Sequence, residues 1–209
     1  MELISNNLAE GEPIPGDFAF CLPNPESHVS FAPNRNPHLV WSDPPEGTRS
    51  FALLCHDRDV PTKPDDVNQE GREVPSDLPR ADFFHWVVVD LPADLREIEA
   101  GVFADGVVAH GRQVAAGPFG CRQGLNDYTG WFAGDADMAG DYGGYDGPCP
   151  PWNDSIVHHY VFTLYALDLD RCPVDGVFRG DDVRQAIAGH VLGKVRITGT
   201  YSLNPNVPA

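Results

Sequence analysis

Lysine is nearly absent from this chain: Lys63 and Lys194 are the only two, and 14 basic side chains in all stand against 31 acidic ones. The formal net charge is therefore −17 over 209 residues. Nucleic-acid backbones and anionic membrane surfaces are bound through clustered lysine and arginine, so this balance argues against both as partners. It is compatible with a very soluble protein in a salty cytoplasm.

Long apolar runs are also missing. No segment approaches the roughly 20 apolar residues that cross a bilayer. The first stretch, 1–18, has neither the basic start nor the apolar centre of a signal peptide. We therefore expect no stable membrane insertion and a cytoplasmic protein.

Cysteines are few, odd in number and widely spaced, with no C-x-x-C pair. This usage predicts five free thiols in a reducing compartment and no cysteine-based zinc site. The five are Cys21, Cys55, Cys121, Cys149 and Cys172.

The common hydrolase signatures are lacking as well. The chain has no G-x-S-x-G elbow and no H-E-x-x-H helix. Its paired aspartates and histidines could ligate a divalent metal, but their spacing matches no known metal pattern. We therefore expect no catalytic residue, no metal and no cofactor.

Glycine and proline are abundant, at 21 and 20 residues, which favours many short strands joined by ordered loops. One helix is predicted over Asp181–Leu192 from the apolar spacing of Val183, Ile187 and Val191, and Leu95–Ile98 is predicted as a short turn. The fold class is mainly β, as one domain over 1–209. Strands are predicted at His38–Trp41, Ser50–His56, Phe83–Asp90, His159–Leu167 and Lys194–Ser202.

Two long loops interrupt this pattern. Thr62–Asp82 is polar and acidic, and Gly120–Gly147 is rich in glycine, aspartate and aromatic residues. Loops of this length are often lids or binding elements. The alternative, that their aromatic side chains simply pack back onto the body, is equally open.

Polar side chains near strand ends are the candidate site. Asp57 and Asp59 share one side if their strand continues that far, and His85 lies in a nearly continuous apolar run. Alternation places His158 and Tyr160 on one face of their strand. Each residue also has a structural explanation, as a turn cap or a buried, hydrogen-bonded core residue.

A stiff segment, Gly147-Pro-Cys-Pro-Pro151, precedes the second histidine. Its prolines fix the backbone and remove amide donors. The segment therefore forms either a rigid corner or one wall of a pocket of fixed shape.

Together these segments resemble the phosphatidylethanolamine-binding protein family, and most closely its bacterial, Raf-kinase-inhibitor-like branch. Asp57-Arg-Asp-Val-Pro61 resembles the family's D-P-D-A-P motif, with Arg58 in place of proline. Phe84-His-Trp86 resembles its T-H-W strand. Gly147-Pro-Cys-Pro-Pro151 with His158-His-Tyr160 resembles its G-P-x-P-P…H-R-Y motif.

The resemblance implies two packed sheets with a short C-terminal helix, and a small cavity for a phosphate, phosphonate or carboxylate group. Such a group would belong to a small molecule, a lipid headgroup or a phosphorylated partner. The resemblance is compatible with a homodimer and with a protein partner. It assigns the cavity to Asp57, Asp59, His85, Gly147, Pro148, His158 and Tyr160.

An anion beside aspartates needs an explanation, because like charges repel. We expect the aspartates to hold the histidines, raising their pKa while the second ring nitrogen faces the cavity as a donor. Two other functions remain open: an inhibitor of a protease or kinase that acts by protein contact, and a hydrolase that uses a pocket histidine as general base.

Overall fold

The protein, described by a computed structural model over residues 1–113 and 117–207, is built mainly from antiparallel strands. A five-stranded sheet has the order β10-β9-β5-β6-β8, a three-stranded sheet β1-β4-β7, and β2 pairs with β3. The strands are β1 Glu2–Ile4, β2 Cys21–Asn24, β3 His28–Phe31, β4 Leu39–Ser42, β5 Ser50–Pro61, β6 Arg80–Pro92, β7 Glu97–Ile98, β8 Arg122–Gln123, β9 His158–Leu167 and β10 Val191–Tyr201.

The five-stranded sheet is covered on both faces, which explains why its central strands are apolar almost throughout. On β5, Phe51 and Leu53 face the core shared with the three-stranded sheet, where the rings of Trp41 and Phe51 lie 5.5 Å apart. Ala52 and Leu54 face a second apolar cluster. Two packed sheets are therefore confirmed, and the single-domain assignment stays a prediction.

The predicted C-terminal helix is present but shorter than expected. The described residues contain two α-helices, α1 Tyr128–Trp131 and α2 Gly180–Ala186, and two short 3-10 helices, Gly16–Phe18 and Pro118–Gly120. Val183 and Ile187 are buried as the apolar spacing predicted. The extension to Leu192 is wrong, because Gly189 adopts a φ of 86° that ends the helix, and Val191 begins β10.

Other predicted boundaries also shift, among them those of one turn and of the two long loops. The turn predicted at Leu95–Ile98 begins earlier, because the main-chain amide of Leu95 donates to the Pro92 carbonyl, and Glu97–Ile98 form β7 instead. The loop predicted over Thr62–Asp82 is shorter, because β5 and β6 continue to pair as far as Pro61 and Arg80. Gly120–Gly147 contains β8 and α1, and its tyrosines are buried.

Two cysteines correct the expectation of five free thiols. Cys21 of β2 and Cys149 of the proline-rich segment form a disulfide, while Cys55, Cys121 and Cys172 are free and buried. The main-chain amides of Phe20 and Cys21 both donate to the Pro148 carbonyl, so backbone pairing brings the two cysteines together. The argument for a reducing compartment therefore loses its support from cysteine usage.

This disulfide gives a countable prediction. Alkylating the denatured, unreduced protein should label three thiols, and prior reduction should raise the number to five. Replacing Cys21 and Cys149 with serine should lower the free energy of unfolding by about 2–4 kcal/mol, because a long-range cross-link restricts the unfolded chain. Five labelled thiols without reduction would rule the pairing out.

No helix in the described part of the chain has the length and apolar character needed to cross a membrane.

Candidate ligand-binding site

A small cavity of about 100 Å³ opens on one face of the five-stranded sheet. Asp57, His85 and Tyr160 form its polar floor, Asn68 adds a further polar side chain, and most of the rest of its lining is apolar. The lining residues are Asp57, Val60, Pro61, Pro64, Val67, Asn68, Phe83, His85, Tyr128, Trp131, Cys149, Pro150, Pro151 and Tyr160.

Strand register assembles the polar floor. Asp57 of β5 lies opposite Tyr160 of β9 on one side and opposite Phe83 of β6 on the other. His85 follows Phe83 by two residues and therefore shares its face. The ring centroids of His85 and Tyr160 are 5.1 Å apart. Three residues predicted from distant motifs are thus brought together at the base of one cavity.

His158, the other predicted pocket histidine, lies beneath this floor rather than in the cavity. It is fully buried, with Nδ1 2.6 Å from Asp57 Oδ2 and Nε2 3.0 Å from Asp154 Oδ2. Burial by itself lowers its pKa, but the carboxylates of Asp57 and Asp154 raise the pKa to about 9. The expectation that one nitrogen of His158 faces the ligand is therefore wrong, because both are used by carboxylates.

A chain of alternating charges continues away from the cavity. Arg80 holds Asp154 through two guanidinium nitrogens, at 2.6 and 3.1 Å. Burial raises the pKa of Asp57 and of Asp154, yet each pKa lies below its usual value, chiefly through His158 for Asp57 and through His158 and Arg80 for Asp154. Asp57, His158, Asp154 and Arg80 thus carry two negative and two positive charges at neutral pH, and their sum is zero.

His85 has the opposite character. Its Nδ1 is 2.7 Å from the main-chain carbonyl of Asp146. A carbonyl only accepts, so Nδ1 carries the proton. Burial is the largest influence on His85 and lowers its pKa to about 4. At neutral pH the ring is uncharged, and Nε2, which has no partner among the described residues, presents a lone pair.

The carbonyl that fixes this tautomer is itself held in place. The buried carboxylate of Asp146 accepts hydrogen bonds from the amides of Asn34 and Asn126, each at 2.8 Å, and from Arg112 at 3.0 Å. A carboxylate with several donors is a rigid anchor. The expectation that His85 is cationic, or donates from the nitrogen that faces the cavity, is wrong, because its one proton lies on Nδ1 and is used by the Asp146 carbonyl.

Tyr160 supplies a hydroxyl to the cavity. The residue is 1% exposed, and its oxygen has no hydrogen-bond partner among the described residues. Burial, and next the neighbouring Asp57 carboxylate, hold the pKa of Tyr160 well above its usual value. The hydroxyl therefore stays protonated, and it can donate either to the Asp57 carboxylate beside it or to a ligand.

The remaining predicted residues do not line the cavity. The carboxylate of Asp59 turns to His159, bonding its main-chain amide at 2.8 Å and its Nδ1 at 2.7 Å. The pairing of β5 with β6 is irregular between Asp57 and Val60, which breaks the simple alternation that placed both aspartates on one side. Gly147 and Pro148 are buried, and their carbonyls accept bonds from Tyr128 and from Phe20 and Cys21.

Several contributing residues were not predicted from the sequence. Asp154 and Arg80 complete the buried charge chain, and Asp146 fixes His85. Tyr128 and Trp131 come from the aromatic loop, whose side chains therefore serve both the core and the cavity. The one usable signal was that Asp154 lies four residues before His158.

The fold and the cavity define a β protein of two packed sheets with a small cavity that has a polar floor and mostly apolar walls. A family model described as phosphatidylethanolamine-binding protein matches residues 4–202. The chain belongs to this family.

Individual members of the family align with this chain over most of its length. The chain is 33% identical to the UPF0098 protein YbhB of Escherichia coli K12 over 203 residues, covering 97% of this chain and all of the relative. A UPF0098 protein of Methanothermobacter thermautotrophicus is 34% identical, over 85% of this chain and 89% of its own. The crystal structure of E. coli YbcL, described as a new member of the mammalian PEBP family, matches with a TM-score of 0.66 at 27% identity, covering 96% and 97% of the two chains.

Proposed function

We propose that the protein is a binding protein whose cavity takes the phosphate or phosphonate group of a small molecule, a lipid headgroup or a phosphorylated partner, and takes that group with one proton on it. The observation that carries the proposal is the pairing of two acceptors at the floor. These are the ionised carboxylate of Asp57 and the lone pair on Nε2 of His85.

A group with no proton to donate meets two obstacles at such a floor. It is repelled by Asp57, and it finds no donor on His85 unless that ring takes up a proton. With a pKa of about 4, protonating His85 at neutral pH costs about 4 kcal/mol. A P–OH group avoids this cost because it donates to one of the acceptors, while its other oxygens accept from Tyr160.

The same argument ranks the candidate ligands. A phosphomonoester or phosphonate loses its last proton near neutral pH, so a singly protonated form is available there. A carboxylic acid has lost its proton by about pH 5 and offers only acceptors. Carboxylates therefore remain within the proposal as weaker ligands.

The walls indicate what can be attached to this group. Around this floor the lining is mostly apolar and includes Pro64, Val67, Trp131 and Pro151. A volume of about 100 Å³ holds the polar group itself, and any larger body extends past the half-exposed indole of Trp131. The net charge of −17 slows the approach of anions, so the proposal requires a slow association rate at low salt.

Titration calorimetry with inorganic phosphate at pH 6 tests the proposal. His85→Ala should weaken binding about tenfold or more, since it removes a hydrogen bond to a charged ligand. His190→Ala is the matched control, because His190 is exposed and pairs with Asp168 on another part of the surface. Equal affinities in the two variants, or no phosphate binding by the wild type, would contradict the proposal.

The cytoplasmic location, the homodimer, the protein partner and the two alternative functions stay predictions. For the hydrolase, the discriminating result is turnover of a phosphoryl or acyl ester that is lost on His85→Ala, because His85 is the histidine that lines the cavity. For the inhibitor, it is a partner protein that co-purifies through the long loops.

A further inference from the structure

We propose that Arg80 and Asp154 form a positioning pair that keeps Asp57 ionised through His158, and so makes the cavity discriminate against ligand groups that carry no proton. Neither residue lines the cavity. The proposal rests on the proposed function where it concerns ligands. Its effect on His158 can be measured without any ligand.

The contacts that carry this inference are short and buried. Asp154 is 1% exposed and lies between the Nε2 of His158 and the guanidinium of Arg80, whose side chain is 11% exposed. On the other side of His158 lies Asp57, the one member of the chain that reaches the cavity. A change of charge on Asp154 or Arg80 therefore reaches the ligand through one imidazole.

The surroundings contain few other groups that could compensate. The titratable floor residues beside Asp57 are His85, which is neutral, and Tyr160, which is protonated. On the neighbouring strand β10, Tyr201 is the register partner of His158, and burial raises the pKa of Tyr201 to about 12, so it is neutral as well. Cys55 and Tyr128 also lie near Asp57, and burial raises the pKa of each, so both are neutral. These neighbours are uncharged at neutral pH, and Asp57 makes its side-chain ion pair with His158 of the four-residue chain.

Arg80 also attaches a wall of the cavity to this chain. Its guanidinium donates to the main-chain carbonyls of Asp59 and Pro75, at 2.9 and 2.8 Å. These carbonyls flank the segment that carries Pro64, Val67 and Asn68. The residue that balances Asp154 therefore also holds the two ends of the wall segment together.

Removing the two partners should have opposite effects. In Asp154→Asn the floor loses a negative charge, so the affinity for sulfate should rise relative to that for phosphate, on the order of tenfold. In Arg80→Gln the carboxylate of Asp154 is no longer balanced, so the sulfate-to-phosphate ratio should fall by a similar factor. Arg80→Lys keeps the charge and should restore the ratio, even where the loss of the forked contacts weakens both ligands.

A titration of His158 by heteronuclear NMR gives the independent readout. Asp154→Asn should move its pKa downward from about 9, and Arg80→Gln should not. Sulfate and phosphate affinities that fall together in both variants, with the His158 titration unchanged, would reduce the pair to a structural contact and overturn the inference. If the wild type binds neither anion, the proposed function fails, and the His158 titration still decides whether the pair acts. If Asp154→Asn does not fold, the direction in which Arg80→Gln changes the sulfate-to-phosphate affinity ratio decides the question alone.

Discussion

Replacing His158 with alanine should lower the free energy of unfolding at pH 6 by about 3–5 kcal/mol, the effect of breaking a buried ion pair by removing one partner. The side chain is fully buried, and its loss leaves Asp57 and Asp154 ionised without the cation between them. The measurement is denaturant unfolding of the wild type and the variant with the slope of the transition compared, so that a change in midpoint reports stability.

His159→Ala is the matched control for this variant. The two histidines are adjacent on β9, but the side chain of His159 is 34% exposed and its carboxylate partner Asp59 is 19% exposed. Partly exposed pairs contribute about 0–1 kcal/mol. Equal destabilisation by the two substitutions would contradict the buried charge chain.

The same chain fixes the direction of the pH dependence. The pKa of His158 is raised to about 9 in the folded protein, so its stabilisation is fully present below its ordinary value of 6.5 and is lost as pH rises through 9. Asp57 and Asp154 have lowered pKa values, so their contribution is present above about 3.8 and is lost as pH falls below it. The wild type should lose stability between pH 7 and 10, and His158→Ala should lose less over that range.

Sulfate affinity should fall about a hundredfold between pH 5 and pH 7, because sulfate brings no proton and binds together with one taken up by His85. At pH values above the pKa of His85 in the ligand-free protein, each further pH unit makes the uptake of this proton tenfold less favourable. Phosphate carries its own proton at pH 5, so its affinity should stay nearly constant until the ligand itself ionises near pH 6 and above. Calorimetry with both anions at three pH values measures the difference.

The control for the sulfate experiment is His85→Ala. Without the imidazole, sulfate should bind weakly and with little dependence on pH. A wild-type sulfate affinity that is flat from pH 5 to pH 7, or a phosphate affinity that falls in parallel with it, would show that His85 does not supply the proton.

The sheet and three floor residues were predictable because their signals are local or run along one strand. The strand around Phe51 and the strand around Val87 lie within the observed β5 and β6, and alternation along β9 places Tyr160 on the cavity face. The family resemblance then assigned Asp57, His85 and Tyr160 to one cavity, which the periodicity of each separate strand does not do. These inferences depend on residue type and spacing, which the sequence contains.

Most of the errors share one cause, which is contact between residues far apart in the chain. Cys21 and Cys149 meet across 128 positions, and the Asp146 carbonyl that fixes His85 is supplied by a distant loop. The misplacement of Asp59 has a local cause, because an irregularity in β5 interrupts the alternation of side chains on which the prediction relied. The charge states of His85 and His158 depend on such partners, so residue type alone assigned both histidines the same role.

The protonation state of His85 tests the central claim most directly. Nitrogen-15 NMR of the ligand-free protein, with signals assigned by comparison with His85→Ala, reports which ring nitrogens carry a proton. The account predicts a neutral ring at pH 7, with the proton on Nδ1 and a bare Nε2, and titration only near pH 4. Both nitrogens protonated at pH 7, or a proton on Nε2 alone, would contradict it.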